Sequence, residues 1–205
     1  MKYLKFISLL AFVAMGFSSP PSGITDSERK FVVDYMVETR DALMKTVKGL
    51  SNEQLNFKSS PESWSVAECV EHIALTETGL FSWMESSLKE PGDPAKLAEA
   101  KMSSEAIVNM ITDRSNKFKT NEGGTPKNSF GSCEAALKEF NTRRDAHIEY
   151  MKKTQEDLHA HSVSLPNGLV FDSYQVVVFM AGHTKRHTLQ IEEVMADANF
   201  PKKKK

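Results

Sequence analysis

The sequence is short of the residues that mark several classes of protein. Its 205 residues include only 2 cysteines, 8 prolines and 10 glycines. This is too little proline and glycine for a fibrous or disordered chain, and the length suffices for a sizeable core without a framework of disulfides. The formal net charge is −1. A nucleic-acid-binding surface carries a clear excess of basic residues, so we do not expect one.

Several catalytic patterns are missing as well. The chain contains no glycine-rich phosphate loop, no Cys-x-x-Cys pair and no recognisable Ser-His-Asp arrangement. Runs of β-forming residues are scarce outside 163–171. Most apolar residues recur instead at steps of three or four, which is the period of an amphipathic helix. We therefore expect an all-α fold.

The one long uncharged apolar run lies near the N-terminus, from Phe6 to Phe17, and follows two lysines. It is shorter than the roughly 20 residues that span a bilayer. A basic start with a short apolar run is typical of a secretory signal peptide, so residues 1–22 are assigned to such a peptide and a short linker. The alternative is an uncleaved apolar anchor. We expect an exported protein, periplasmic or secreted, whose mature chain begins between residues 17 and 24.

Helix starts are marked by capping boxes, in which a Ser, Thr or Asp is followed three residues later by Glu or Gln. The pairs are Thr25 with Glu28, Ser65 with Glu68, and Asp172 with Gln175. Helical spacing predicts helices over about 26–48, 66–90, 103–119, 133–158 and 173–198. Four are long, and the short one lies in an extended connection. The prediction is a four-helix bundle over 23–198, with a long crossover containing an extra helix between helices two and three, and a basic tail at 199–205.

Three histidines are predicted to meet inside this bundle. His183 and His187 lie one turn apart on the apolar stripe of the last helix, so both imidazoles can point at one metal ion. His72 lies at a similar depth in the second helix. If the two helices pack side by side, three imidazoles bind one divalent cation and leave a coordination position open for water. Histidines spaced by four also arise by chance, so the pair alone is a weak signal.

Two motifs resemble those of the DinB/YfiT-like family of small four-helix-bundle metalloproteins. Residues 64–73, WSVAECVEHI, are similar to the family segment W-S-x-x-E-x-x-x-H-hydrophobic. Residues 183–191, HTKRHTLQI, are similar to its segment H-x-x-x-H-x-x-Q-I. The motifs occur in the family's order, and a weaker match extends over about 27–196. The resemblance implies a bundle with a long link between its second and third helices.

The resemblance also implies that His72, His183 and His187 bind a divalent metal, which is zinc or nickel in known relatives. Some relatives transfer low-molecular-weight thiols to electrophiles, and others carry a hydrolase label. The usual thiol cosubstrates are cytosolic, and an exported chain departs from that setting. We therefore expect a metal-dependent hydrolase, with zinc as the first choice of metal, nickel as the second and an unidentified small-molecule substrate.

Other functions and assemblies stay open. A thiol S-transferase and a noncatalytic metal-binding stress protein are the alternatives to a hydrolase. We expect no nucleic-acid partner and no stable membrane span after signal cleavage, and a homodimer is one open assembly state.

Three further residues are candidate helpers of a reacting water, and each has an alternative explanation. Gln190 either bonds solvent at the metal or joins a neighbouring helix. Arg144 either holds an anionic group of the substrate or forms an interhelical ion pair. His147 either carries protons or is a hydrogen-bonded histidine of the core.

The residues beside His72 also allow two interpretations. Cys69 is either a fourth metal ligand or a small core residue. Glu68 either orients His72 or is explained by its capping box alone. Cys69 and Cys133 both lie in the first turns of their helices, which a long crossover makes parallel. A disulfide between them is therefore a further prediction for an exported chain.

Overall fold

A computed structural model describes residues 23–117, 119–165 and 167–202. Its helices are α1 (Asp26–Val47), α2 (Asn52–Leu55), α3 (Val66–Ser87), α4 (Pro94–Leu97), α5 (Ser104–Thr112), α6 (Cys133–Lys153) and α7 (Ser173–Met195). A 3-10 turn, Glu122–Gly124, precedes α6, and an antiparallel hairpin of β1 (Ser162–Ser164) and β2 (Val170–Asp172) precedes α7. The predicted signal peptide and the last three lysines of the basic tail lie outside the described residues.

The predicted capping boxes are all formed. The N-cap side chains of Thr25, Ser65 and Asp172 each accept a hydrogen bond from the backbone N–H three residues on. In turn, the side chains of Glu28, Glu68 and Gln175 accept a hydrogen bond from the backbone N–H of the N-cap residue. α6 has a simpler cap, in which Ser132 accepts from the N–H of Ala135. Because each cap satisfies backbone N–H groups that the helix cannot, it contributes about 1 kcal/mol and defines the first residue of its helix.

The four long helices form a bundle in the ring order α1, α7, α3, α6. α3 and α7 are antiparallel, because Ser87 bonds to Ser173 at one end while His72 contacts His183 nearer the other. α3 and α6 are parallel, because their first turns share one apolar cluster and their last turns share another. The crossover of 88–132 returns the chain to the same end, so the predicted bundle topology is confirmed.

A polar layer crosses the bundle between the two apolar clusters. One cluster packs the first half of α1 and α7 against the second half of α3 and α6, and the other packs the opposite halves. On every long helix, buried polar side chains lie between the two clusters. They include Thr39, Glu77, Arg144, His147, Thr184 and His187. A buried apolar side chain contributes about 1.5–3 kcal/mol to the stability of the fold. The polar residues of this layer forgo that contribution.

The crossover is fastened to α7 through α5. Gly182 allows close approach, because a Cβ there would lie 2.5 Å from Cγ2 of Ile111. Arg186 is buried and donates to the carbonyl oxygens of Ile111, Asp113 and Asn116. These hydrogen bonds satisfy the carbonyl oxygens at and after the end of α5, and they hold this part of the crossover beside the histidines.

Several predicted helix ends were wrong. The helix expected over 103–119 ends at Thr112, because the carbonyls that would continue it are bound by Arg186. The helix expected to reach residue 158 ends at Lys153, because Thr154, with φ −57° and ψ 139°, leaves the helical conformation. The connection between the helices expected over 133–158 and 173–198 contains the β1–β2 hairpin. None of the described helices is both long and apolar enough to cross a membrane.

The predicted disulfide was also wrong. α3 and α6 run parallel as it required, but Cys69 and Cys133 are both free cysteines. Cys69 is fully buried in the cluster that joins the first turns of α3 and α6, and Cys133 packs half-buried against the same cluster.

Candidate metal centre

Three histidine side chains converge between α3 and α7. Nε2 of His183 lies 3.2 Å from Nε2 of His72 and 3.2 Å from Nε2 of His187. The ligand atoms of the three residues all lie within 4.8 Å of one another. His72 and His187 are buried and His183 is half-buried. The structure therefore brings together the three histidines that the sequence singled out.

The outer ring nitrogens of His72 and His187 are held by oxygen acceptors. Nδ1 of His72 lies 2.6 Å from the carbonyl oxygen of Gly124, and Nδ1 of His187 lies 2.9 Å from Oε1 of Gln190. A carbonyl oxygen can only accept, so each Nδ1 carries the hydrogen. The Nε2 atoms of these two neutral imidazoles therefore carry no hydrogen, and each has a free lone pair.

His183 is held in the same tautomer by Thr76. The hydroxyl of Thr76 donates to the carbonyl oxygen of His72 at 2.7 Å, so its oxygen is left to accept from Nδ1 of His183 at 3.4 Å. The third Nε2 is then also bare. Three lone pairs that face one another repel unless a cation lies between them, and this donor set fits a divalent metal.

The spacing of the nitrogens agrees with that assignment. A tetrahedral zinc with bonds of about 2.0–2.1 Å separates its ligand nitrogens by about 3.3 Å. The two spacings of 3.2 Å to His183 are close to this value. Burial lowers the pKa of His72. Burial and the neighbouring imidazoles hold the pKa of His183 and His187 well below the ordinary value, which keeps the rings neutral, as metal ligands must be.

Trp64 packs against two of the three histidines. Its ring centroid lies 4.8 Å from that of His72 and 5.9 Å from that of His187. Trp64 and all three histidines line a cavity of about 950 Å³, which is within the range of small-molecule sites. The described residues contribute no fourth side chain to the histidine group, so one side of a bound ion would face the cavity.

Cys69 is a core residue and not a fourth metal ligand, and Glu68 belongs to a capping box and does not orient His72. Burial raises the pKa of the Cys69 thiol to about 12, and the side chain packs in the core rather than with the histidines. The carboxylate of Glu68 accepts from the N–H of Ser65 at 2.8 Å and pairs with Lys58 at 2.7 Å. The residue that orients His72 is therefore Gly124, whose backbone role leaves no signal in a single sequence.

Glu71 is a second residue that the sequence did not reveal. Its carboxylate accepts the successive backbone N–H groups of Lys127, Asn128 and Ser129 at 2.7–3.0 Å. Asn128 has a φ of 60°, a left-handed conformation that turns these groups toward one anion. Burial raises the pKa of Glu71, but the three bonds outweigh burial and the pKa is lowered. The loop that carries Gly124 is thus anchored beside His72.

Arg144 and His147 lie in the buried polar layer. Arg144 is fully buried and donates to both carboxylate oxygens of Glu77, at 2.8 and 2.6 Å. Its other N–H groups bond to the Met36 carbonyl and the hydroxyls of Thr39 and Thr184. All five of its donors are thus engaged by protein atoms, which supports the ion-pair interpretation of Arg144.

His147 completes the same network. Its Nδ1 donates to Glu77 at 2.8 Å, and its ring stacks on Phe81 with centroids 3.6 Å apart. The sequence did not single out Glu77, because a glutamate on a helix is usually exposed. Burial raises the pKa of Glu77, but the Arg144 charge and hydrogen bonds from both partners outweigh burial and lower it.

Gln190 connects the histidines to the crossover. Its Oε1 accepts from His187 at 2.9 Å and from Arg114 at 3.4 Å. Arg114 also pairs with Glu193 through two bonds, at 3.0 and 2.6 Å. Both roles considered for Gln190 are compatible with this position, because it bridges to the segment after α5 and also lines the cavity.

Comparison with known proteins gives the same architecture. YuaE, an uncharacterised protein of Bacillus subtilis (strain 168), is 26% identical over 157 residues, which are 77% of this chain and 93% of YuaE. The structure of YfiT from Bacillus subtilis, described as "a probable metal-dependent hydrolase with an unusual four-helix bundle topology", matches with a TM-score of 0.58 at 14% identity. That match covers 91% of this chain and 97% of YfiT. The DinB superfamily model matches residues 35–191, a range that contains all three histidines, and the chain therefore belongs to the DinB superfamily.

Proposed function

We propose that this protein is a metal-dependent hydrolase whose divalent cation is held by Nε2 of His72, His183 and His187. The observation that carries the proposal is the convergence of three bare ring nitrogens at the wall of a cavity of about 950 Å³. The description of YfiT as a probable metal-dependent hydrolase supports the same reaction class. When bound, a divalent metal polarises a substrate carbonyl and lowers the pKa of water, with zinc as the first candidate and nickel as the second.

The residues around the histidines prepare the site for this chemistry. Gly124, Thr76 and Gln190 fix the three imidazole tautomers, so the rings need not reorganise when substrate arrives. Trp64 packs against His72 and His187 and supplies apolar surface to the same cavity. Because Oε1 of Gln190 is occupied by His187 and Arg114, its amide N–H groups are left for solvent or for an oxygen of the substrate.

Metal content tests the ligand set. Elemental analysis of protein purified without a tag should find one equivalent of divalent metal in the wild type and a large loss in His183→Ala. His161→Ala is the matched control, because His161 does not line the cavity and bonds to the backbone of Glu90. Equal metal in the wild type and His183→Ala, or none in either after metal loading, rejects the site.

Kinetics test the reaction. Ester and amide substrates should be hydrolysed by the metallated wild type, with activity lost after chelation and regained on adding metal. His187→Ala should not regain it. Turnover that requires an added low-molecular-weight thiol would identify an S-transferase instead. Full metal loading without turnover of any substrate class would identify a noncatalytic metal-binding protein.

A further inference from the structure

The cavity beside the histidines has an apolar end. Because α3 and α7 are antiparallel, the second half of α3 and the first half of α7 meet at the same end of the cavity. The apolar side chains that line this end are Leu80, Trp83, Met110, Leu165 and Phe179. Phe179 lies one turn before His183, with ring centroids 6.2 Å apart, so the apolar surface begins directly beside the histidines.

The opposite end of the cavity carries more positive than negative charge, because two lysines lie there beside the Arg114–Glu193 ion pair. Arg114, Lys117 and Lys119 line it from the segment after α5. Arg114 contacts Gln190 and pairs with Glu193, which places this segment on the far side of His187 from Phe179. Both lysines are exposed. The cavity lining as a whole has more cationic side chains than carboxylates, in a protein whose net charge is −1.

The apolar end is long enough for an alkyl chain. Leu80 and Trp83 lie eight and eleven residues after His72 on α3, which is about 12 and 16 Å along the helix axis. Trp83 is 38% exposed and is one of two large apolar side chains of the described residues that face solvent to this degree. An apolar ligand that covered this wall would gain the hydrophobic free energy of its burial.

We infer that the substrate is an N-acyl amino acid. Its medium-length acyl chain would lie along the apolar end, its carboxylate at the cationic end, and its amide carbonyl between them at the histidines. This inference rests on the proposed hydrolase function. In the reaction the oxygen of water bonds to the acyl carbon, the carbon–nitrogen bond breaks, and the proton from water goes to the departing nitrogen. The products are a fatty acid and a free amino acid.

Binding can be measured apart from turnover. N-decanoylglycine is titrated into chelator-treated, metal-free protein, which should not hydrolyse it, and the fluorescence of Trp64 and Trp83, both of which line the cavity, reports occupancy. Across the hexanoyl, octanoyl and decanoyl glycines the affinity should rise up to about fourfold per added methylene. Calorimetry of Trp83→Ser should show a smaller gain with chain length. Met44→Ser is the matched control, because Met44 is 37% exposed on α1 and does not line the cavity.

The charge requirement has its own comparison. Lys117→Glu combined with Lys119→Glu should weaken N-decanoylglycine by about tenfold and leave N-decanoylethanolamine, which lacks the carboxylate, unchanged. Lys48→Glu, at the exposed C-cap of α1, is the control for a change in charge.

The outcomes separate the two proposals. Binding that depends on chain length and head charge, without turnover, keeps this ligand class and rejects the hydrolase. Equal turnover of short uncharged esters and N-decanoylglycine supports the hydrolase and rejects the ligand class. An affinity that changes neither with acyl-chain length nor with the charge of the head group rejects the ligand class, whether or not the compounds are hydrolysed.

Discussion

At the scale of single residues, the histidines were predictable and the atoms that hold them were not. His183 and His187 lie one turn apart, so their shared face follows from the helical period. Gly124 and Thr76, by contrast, act through a carbonyl oxygen and a common hydroxyl. Gly124 reaches His72 from 52 residues away, across a crossover whose path no local pattern specifies. Helical periodicity can therefore indicate the ligands of such a site, but not the residues that hydrogen-bond to those ligands.

Gly124→Ala should weaken metal binding without unfolding the protein. A Cβ at this position would lie 3.2 Å from Cε1 and 3.3 Å from Nδ1 of His72, and 2.9 Å from the Thr120 hydroxyl oxygen. The ring must move, and loss of an outer-sphere partner typically lowers metal affinity about 10–100-fold. Competition with a chromogenic chelator measures the change.

Gly123→Ala is the matched control for this substitution. The added Cβ would lie 3.6 Å from Oδ1 of Asn121, an ordinary contact, so affinity should stay near that of the wild type. If both variants bind metal as tightly as the wild type, Gly124 does not position His72.

The adjacent residues Arg143 and Arg144 should differ sharply when each is replaced by methionine. Arg144→Met leaves the Glu77 carboxylate buried without its partner and should lower the free energy of unfolding by about 3–5 kcal/mol. Arg143 is half-exposed and pairs with Glu139 on the surface, so Arg143→Met should cost less than about 1 kcal/mol. Urea unfolding followed by circular dichroism gives both values. Similar losses in the two variants would show that the buried pair has no special role.

At the scale of elements, helix starts were predicted well and helix ends poorly. A capping box is local, and Thr25, Ser65 and Asp172 each begin a helix as expected. The end of α5 depends on Arg186, which is more than 70 residues away in sequence and takes the carbonyls that further helix would use. Ends set by such tertiary contacts cannot be found from propensity alone.

His159 links the N-terminal caps of two helices and makes their stability depend on pH. Its Nδ1 lies 2.8 Å from the Asp172 cap of α7, and its Nε2 lies 3.3 Å from Glu28 in the capping box of α1. The bond to Asp172 and the two carboxylate charges outweigh burial and raise the pKa of His159 to about 9. The protonated form is therefore favoured in the folded state.

The sign of the pH effect follows from the raised pKa. The stability that His159 adds is fully present below its unfolded pKa of about 6.5 and is lost as the pH rises through about 9. The wild type should exceed His159→Gln in free energy of unfolding at pH 6, and the difference should shrink toward pH 10. Denaturant titrations at both pH values measure it, with His161→Gln as the control. A difference that is constant across this range contradicts the linkage.

At the scale of the whole molecule, the polar layer and the candidate metal site form one feature of the bundle. Thr184 bonds to Arg144 in the layer, and the preceding residue, His183, faces the cavity. The bundle could be predicted because four periodic stripes must pack together. Its ring order and the burial of Glu77 could not be predicted, since both depend on which helices become neighbours.

We propose that the chain is exported and that its signal peptide is removed, so that the mature chain begins between residues 17 and 24. The charged start and short apolar run motivate this, and the structure limits how far cleavage can extend. Ile24 is buried in the core, and Thr25 caps α1, so removal of either should destabilise the protein. N-terminal sequencing of native material should find this start in a periplasmic or secreted fraction. A chain that keeps Met1 in the cytosol would refute the proposal.

Metal binding should stabilise the whole bundle, because the ligands come from two helices at its centre. His72 on α3 and His183 with His187 on α7 are held together only when these helices are packed, so the ion binds the folded state and not the unfolded chain. At a free metal concentration 100 times the dissociation constant, the gain is about 2.7 kcal/mol. For a bundle of this size that raises the melting temperature by about 5–10 °C. Thermal unfolding of chelated and metal-loaded protein measures the shift, and His187→Ala should show little of it. If the melting temperature of the wild type is the same with and without metal, the three nitrogens do not act as one site.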